Sequence, residues 1–266
     1  MRDVDNGNGK EDDAGAGTRQ PRSLWIGTAG WNVPGPLKDR FPGEGTHLER
    51  YSRVLPAAEI NSSFYRPHKP ATYERWAASA PAGFRFAVKV PRSITHFRRL
   101  KDTEALLSEF LDECKHLGPK LGPLLVQLPP SLTWDRQQAG DFFRGLRGMF
   151  DGPVACEPRH PTWFTPEADD YLSGLQVARV AADPAVVPQA ADPGGWNGLV
   201  YYRLHGSPRI YYSAYPAEYL HSLTQRLHAL KADGAEVWCI FDNTAEGAAA
   251  GDALQVLSGA IKSSEG

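Results

Sequence analysis

Eight short apolar runs, each followed by enough chain for a helix, dominate this sequence. They are SLWIGTAGW, AAEINSSFY, FRFAVKVPR, GPLLVQLPP, PVACEPRH, VARVAADP, GLVYYRLHGS and EVWCIFDN. The helix-like segments are THLERYSRVL, ATYERWAASA, EALLSEFLDECKHLG, DRQQAGDFFRGLRGMF, EADDYLSGL, PAEYLHSLTQRLHALKADG and GDALQVLSGAIK. A crossover of that length makes successive strands parallel rather than hairpinned. Eight parallel strands closed into a barrel leave no edge to protect, and 266 residues suit such a barrel as one domain. An open doubly wound sheet is the competing arrangement. It would announce itself by a GxGxxG turn after the first strand, and GTAGW lacks that spacing. The expected fold is therefore α/β, a (β/α)8 TIM-like barrel in a single domain over residues 23–266. The link after the sixth strand, PAVVPQAADPGGWNG, holds too much Pro and Gly for a long helix, so that crossover helix is expected to be short or missing.

Residues 1–22 are rich in Gly, Asp and Asn and have no apolar run. They read as a disordered tail and not as a signal peptide. With no stretch of roughly 20 apolar residues, no membrane span is expected, and a cytoplasmic location follows as the expectation. Three widely spaced cysteines, Cys114, Cys156 and Cys239, form no CxxC pair, so neither a disulfide nor a structural zinc is expected. With 29 basic and 31 acidic residues, no global field draws the chain to nucleic acid or anionic lipid.

The strands start apolar and end polar. In a barrel of this kind functional groups sit at the C-terminal strand ends. Those ends carry Glu59 and Asn61, Lys89, Gln127, Glu157 and Arg159, Asp183, Arg203 and His205, and Asp242. Glu59 and Asn61 share a parity and so face the same side of a strand. One explanation is a structural ion network, with pairs such as Glu59–Lys89 or Glu157–Arg203. Buried pairs are poor stabilisers, however, and so much charge in one layer points to function. Two loops add to this. PRSITHFRRLK places Arg92, His96, Arg98, Arg99 and Lys101 around Phe97, a basic rim. HGSPRIYYSAYPAEYLH places Arg209 beside Tyr211, Tyr212, Tyr215 and Tyr219, a stacking surface for a sugar or base. Gly206 with Ser207, and Asn243 with Thr244, stand where this fold often binds phosphate, although Asn243 also suits a helix cap.

EINSSFYR, FAVKVPRSITH with RRL, LVQLPPS, CEPRHPTWF, YRLHG and FDNT together resemble the YecE-like family, the domain of unknown function 72. The resemblance runs from about Leu24 to Leu257. It implies a TIM-like barrel and implies no reaction. The family's recurring polar positions fall here on Glu59, Asn61, Tyr65, Lys89, His96, Gln127, Glu157, Arg159, His160, Trp163, Arg203, His205, Gly206, Asp242 and Asn243.

The expected function is binding, with hydrolysis or lysis, of a phosphate-bearing ligand at the barrel mouth: a nucleotide, sugar phosphate or nucleic acid. Glu157 or Glu59 would be the base, Lys89 and Arg203 would hold developing negative charge, and His96 or His205 would move the proton. Asp242 completes the catalytic set. Asn61, Tyr65, Gln127, Arg159, His160, Trp163, Gly206, Ser207, Arg209, Tyr212 and Asn243 would hold the ligand. No cofactor is expected. Two alternatives stay open. One is a metal-dependent enzyme, like isomerases or endonucleases of this fold, with ligands from Glu59, His96, Glu157, His160, His205 and Asp242. Against it, Lys89 and Arg203 would repel the ion. The other is a non-catalytic nucleic-acid or ligand-binding module using only the basic and tyrosine loops.

Overall fold

The computed structural model describes residues 24–264, and the segment 1–22 read as a tail lies outside the described residues. The strands are β1 (Leu24–Ala29), β2 (Ala57–Ile60), β3 (Arg85–Lys89), β4 (Leu121–Gln127), β5 (Val154–Glu157), β6 (Val177–Arg179), β7 (Ala181–Asp183), β8 (Gly194–Gly195), β9 (Leu199–Leu204) and β10 (Glu236–Phe241). The helices are α1 (His47–Ser52), α2 (Pro70–Ser79), α3 (Glu104–Cys114), α4 (Arg136–Arg147), α5 (Pro166–Gly174), α6 (Ala217–Ala232) and α7 (Ala248–Ser264). One sheet runs in the order β7-β9-β10-β1-β2-β3-β4-β5-β6-β8. Its ladders are parallel except for β6 with β8.

The sixth apolar run supplies both ends of that order. Val177–Arg179 pairs with β5, while Ala181–Asp183 pairs with β9. Between them, the Val180 N–H still donates to Cys156 at 2.8 Å, and His205 N–H donates to the Asp183 carbonyl at 2.7 Å. The ring of eight staves therefore closes within one strand that changes partner halfway. Where β6 lacks β9, Gly194–Gly195 folds back antiparallel to it, and Trp196 N–H donates to Val177 at 2.9 Å. Gly195 has φ of 64°, and a Cβ there would lie 2.5 Å from the Val177 carbonyl oxygen, so only glycine fits. The crossover after this stave holds just a short 3-10 turn, Pro188–Ala191, as its Pro and Gly content demanded.

Two apolar clusters follow from the strand alternation. Ile26, Phe86, Val88, Leu124, Val126, Cys156 and Phe241 face out and pack with Leu107, Phe110, Leu146, Leu227 and Val256 of the helices. Ala57, Ala87, Leu125, Ala155, Ala178, Leu199, Tyr201, Trp238 and Ile240 face in. The four alanines leave room for two large rings, Tyr201 and Trp238, stacked at 6.2 Å with 3° between planes. Gly122 makes the same allowance: a Cβ would meet the Trp238 indole at 2.7 Å. It sits where the β3–β4 register slips between the Phe86–Leu121 and Val88–Leu124 pairs, a bulge that also accommodates Pro123. This apolar plug fills the barrel and forms the floor of a polar layer above it.

Candidate functional site

One step further along the same inward parity come Glu59, Lys89, Gln127, Glu157, Arg203 and Asp242, at the C-terminal ends of β2, β3, β4, β5, β9 and β10. Arg203 is fully buried and organises them. Its Nε and Nη2 fork onto Glu59 at 3.0 and 2.8 Å, its Nη1 donates to Glu157 Oε2 at 3.2 Å, and its Nη2 lies 3.0 Å from Asp242 Oδ2. Tyr201 adds a hydroxyl bond to Glu59 at 2.9 Å. Glu157 also accepts from Gln127 at 2.9 Å and from Arg159 at 2.6 Å. His205 bridges the remaining pair: its Nε2 lies 2.8 Å from Glu157 and its Nδ1 3.0 Å from Asp242. Arg159 Nη2 also lies 2.6 Å from His205 Nε2.

Burial alone would push the Glu157 carboxyl up. The charges of Arg159, Arg203 and His205 override it and hold the group well below the usual carboxylate range. Asp242 is likewise lowered, burial being outweighed by Arg203 and His205. Lys89 stands apart. Among the described residues its Nζ has no hydrogen bond and no ion pair, and it rests 4.2 Å from the Phe64 ring centroid. The expected Glu59–Lys89 pair is absent because Arg203 already takes both Glu59 oxygens; the Glu157–Arg203 pair is present. Burial, seconded by Arg203, pulls the Lys89 amine down to about 8 against the opposing carboxylates.

Above this layer is a cavity of about 480 Å³ lined by Asn61, Phe64, Tyr65, Lys89, Arg92, His96, Phe97, Gln127, Tyr211, Asp242 and Thr244. Tyr65, Phe97 and Tyr211 are 61%, 69% and 47% exposed, unusual for large apolar rings. The Arg92 guanidinium lies 5.6 Å from the Tyr65 ring and 5.3 Å from that of Phe97. His96 sits in a π-helical turn, Ser93–Phe97, and burial followed by the Lys89 and Arg92 charges lowers its pKa. Such turns recur at functional sites. Asn61 Oδ1 is buried and has no hydrogen-bond partner among the described residues, an acceptor left open beside the cavity.

The structure redistributes the expected roles. Lys89, His96 and Asp242 reach the cavity. Glu59, Glu157, Arg203 and His205 are fully buried beneath it, with both oxygens of each glutamate already accepting. They frame the site and are not placed as its base. Asn61, Tyr65 and Gln127 line the mouth, and Arg159 braces Glu157. The other binding residues do not join them. Trp163 is core although it ends the 3-10 turn that follows β5: its ring packs against Trp134 at 4.8 Å and its indole N–H donates to Leu132 at 2.9 Å. His160 accepts from Thr162 N–H and caps a short helix. Gly206 forms a left-handed turn whose N–H donates to Tyr215. Asn243 is also turned inward, its amide donating to Ser213 and Asp252; it does not cap α7 through its side chain. Ser207, Arg209 and Tyr212 sit on the outer part of that loop, with Arg209 3.6 Å over the Tyr212 ring.

Two loop expectations are corrected as well. Tyr215 and Tyr219 stack on each other at 4.7 Å as packing, and Tyr211 alone of the four tyrosines lines the cavity. In the basic loop Arg99 turns away to bond Ser131 at 2.8 and 2.9 Å. Asp183 has the outward parity of Arg179 and Ala181, and accepts from Tyr215 at 2.9 Å. Sequence reading missed Tyr201, two residues before Arg203 and so on the same face, a signal that was there to use. It also missed Phe64, which lies in a 3-10 turn where alternation carries no information.

The donor set does not suit a divalent cation. The glutamate oxygens are taken by arginines, Lys89, Arg159 and Arg203 crowd the same layer, and among the described residues no group of three or more His, Cys, Asp or Glu could hold one. Cys114, Cys156 and Cys239 are buried and free. Among the described residues no helix is long and apolar enough to cross a membrane.

Comparison with known proteins places this arrangement. The chain is 32% identical over 142 residues to UPF0759 protein YecE of Escherichia coli, a match covering 53% of this chain and 50% of YecE, so that it spans half the length of that relative. It is 24% identical to UPF0759 protein YunF of Bacillus subtilis, covering 88% of this chain and 93% of YunF. Crystal structures of DUF72 family proteins share the fold. That from Thermotoga maritima has a TM-score of 0.73 at 23% identity, covering 92% of this chain and all of its own. That from Enterococcus faecalis has a TM-score of 0.74 at 22% identity, covering 90% and 96%. The model of the family described as protein of unknown function DUF72 matches residues 25–263, nearly the whole barrel and every residue of the polar layer, and the chain belongs to that family.

Proposed function

We propose that the barrel mouth binds a phosphate-bearing ligand that also presents a sugar or base ring, and cleaves it by hydrolysis or elimination. The observation that carries this reading is the composition of the cavity. Arg92 and Lys89 supply positive charge, and the exposed rings of Tyr65, Phe97 and Tyr211 offer stacking faces at the rim. Asn61 supplies an open acceptor. His96, its pKa lowered, is neutral near pH 7 and suited to accept a proton. Asp242 is the one acid of the polar layer that lines the cavity, and Arg203 and His205 fix its position. A nucleotide, a sugar phosphate or single-stranded nucleic acid all match this chemistry. The exposed aromatic rim specifically favours a second reading, in which single-stranded nucleic acid is bound on stacking platforms without being cut. Buried free thiols accord with a cytoplasmic setting.

The test is calorimetric titration of the full chain with inorganic phosphate, ribose 5-phosphate, mononucleotides and a short single-stranded oligonucleotide. Arg92→Ala should weaken every phosphate ligand, and Tyr65→Ala should weaken only those that carry a ring. Binding that is unchanged in an Arg92→Ala, His96→Ala double variant would remove the basis of the reading. Product analysis then separates cleavage from simple binding.

A further inference from the structure

A lysine at the floor of a mouth that holds phosphate invites the question of why an amine, and not a second guanidinium, stands there. Arg203 and Arg159 are tied to carboxylates, but Lys89 is not. Its stem is buried in the barrel, and its Nζ lies against the Phe64 ring and lines the cavity. Burial of the amine and the guanidinium of Arg203 near it disfavour the ammonium form, outweighing the carboxylates of the layer and the pull of the Phe64 ring face. These are the conditions that turn a lysine from a cation into a nucleophile.

We propose that Lys89 forms a Schiff base with the aldehyde or ketone carbonyl of a phosphate-bearing sugar. The proposal rests on the phosphate-ligand reading of the mouth and names the chemistry of its floor. Neutral Nζ attacks the carbonyl carbon and a C–N bond forms. One amine proton passes to the carbonyl oxygen, giving a carbinolamine. Protonation of that hydroxyl by solvent entering the mouth lets it leave as water, and the C–O bond breaks. The product is an iminium that keeps one N–H and the positive charge. The sum is amine plus carbonyl plus one proton giving iminium plus water. With Nζ lowered to about 8, about half of the amine is neutral at pH 8, against well under one part in a hundred for an ordinary lysine. The iminium then acidifies the adjacent C–H, for which Asp242 and His96 are the acceptors lining the same cavity. The same carbonyl chemistry reaches the site from two sources, a free aldose phosphate or an abasic deoxyribose within single-stranded DNA.

Two measurements on the full chain separate this proposal from the reading beneath it. The first is reversible binding of ribose 5-phosphate and of an oligonucleotide carrying one abasic deoxyribose. The second is trapping with sodium borohydride in the presence of each, read by intact mass and by mapping the modified peptide. The expected result is one adduct per chain on Lys89, with a trapping rate that rises about tenfold per pH unit up to about pH 8. Lys89→Arg, shown to be folded by its circular dichroism and thermal melt, keeps a cation at the floor and should lose the adduct. Whichever carbonyl compound is trapped identifies the source. Binding without an adduct, or an adduct that persists in Lys89→Arg, overturns the Schiff base and leaves the binding site standing. Absence of both binding and adduct overturns the two together.

Discussion

Arg203 is the residue on which the site depends, because three carboxylates are buried around one guanidinium. Burial lowers the pKa of an isolated guanidinium; here Asp242, Glu59 and Glu157 more than reverse this and hold Arg203 charged. Replacing it with Met leaves Glu59 without its ion-pair partner and takes one cation each from Glu157 and Asp242 in a dry layer, so Arg203→Met should destabilise by about 3–5 kcal/mol. Adding Glu59→Gln should recover part of that loss, a non-additivity that denaturant unfolding of the two single variants and the double variant measures. Lys89 behaves oppositely. Its folded pKa lies below the unfolded value, so between pH 8 and about 10.4 the unfolded chain holds the extra proton and wild-type stability rises with pH. Lys89→Met lacks this contribution. It should be more stable than wild type below pH 8, by about 2 kcal/mol or less, and lose that advantage towards pH 10. Cysteines and tyrosines whose pKa values burial raises titrate in the same window once unfolded, but they are common to both proteins, so the wild-type minus variant difference isolates Lys89. A constant difference across that range would show that Nζ is not perturbed. This residue-level pattern was legible in the sequence to the extent that alternation is regular. Glu59, Lys89, Gln127, Glu157, Arg203 and Asp242 follow from parity. Asp183 was misjudged by one position, and Trp163, His160 and Asn243 were chosen from motifs whose donors or acceptors are used inside the fold: the Trp163 indole on Leu132, the His160 ring on Thr162 and the Asn243 amide N–H on Ser213 and Asp252.

At the scale of elements, the barrel depends on two irregularities that run length and hydropathy do not reveal. The sixth stave changes partner at Val180, and the β3–β4 ladder slips by one residue at Gly122 and Pro123. VARVAADP reads as one strand since no Gly or Pro interrupts Val177–Asp183; only the closure geometry and the competing Gly194–Gly195 ribbon split it. Gly122 can be tested. An added methyl at 2.7 Å from the Trp238 indole cannot be relieved by a flexible tip, because that ring is itself stacked on Tyr201. Gly122→Ala should therefore lower stability by about 1–3 kcal/mol, and Trp238→Phe in the same chain should offset part of the loss. Thermal unfolding of the three variants decides it, and a neutral Gly122→Ala would mean that the inner rings are loosely seated. The loop after β3 depends on a local strain of its own. Arg99 and Leu100 have φ of 52° and 68°, a conformation uncommon for non-glycine residues. The Arg99 contacts to Ser131 hold it, and the π-helical turn presenting His96 precedes it.

For the whole molecule, the distribution of charge matters more than its sum. The formal net charge is −2, so nothing far from the mouth should draw a polyanion in. Inside the polar layer Glu59, Glu157 and Asp242 stand against Lys89, Arg159 and Arg203, and the balance is nearly internal. The cations that face a ligand at the cavity are Arg92 and, below about pH 8, Lys89. A protein that neutralises many phosphates over a broad face loses affinity steeply with salt. One that grips two or three at a cleft does not. If two phosphates are met here, the logarithm of affinity for a single-stranded oligonucleotide should fall with the logarithm of salt at a slope of about −1.4, and Arg92→Ala should flatten it by about 0.7. Tyr65→Ala should weaken binding at every salt concentration and leave the slope alone, since stacking releases no counterions. Fluorescence anisotropy over a salt series with the three proteins measures both effects. A slope several times steeper, or one indifferent to Arg92, would move the binding surface off the barrel mouth and onto the outer loops that carry Arg209 and Tyr212, where the same ring and guanidinium chemistry recurs without the polar layer beneath it.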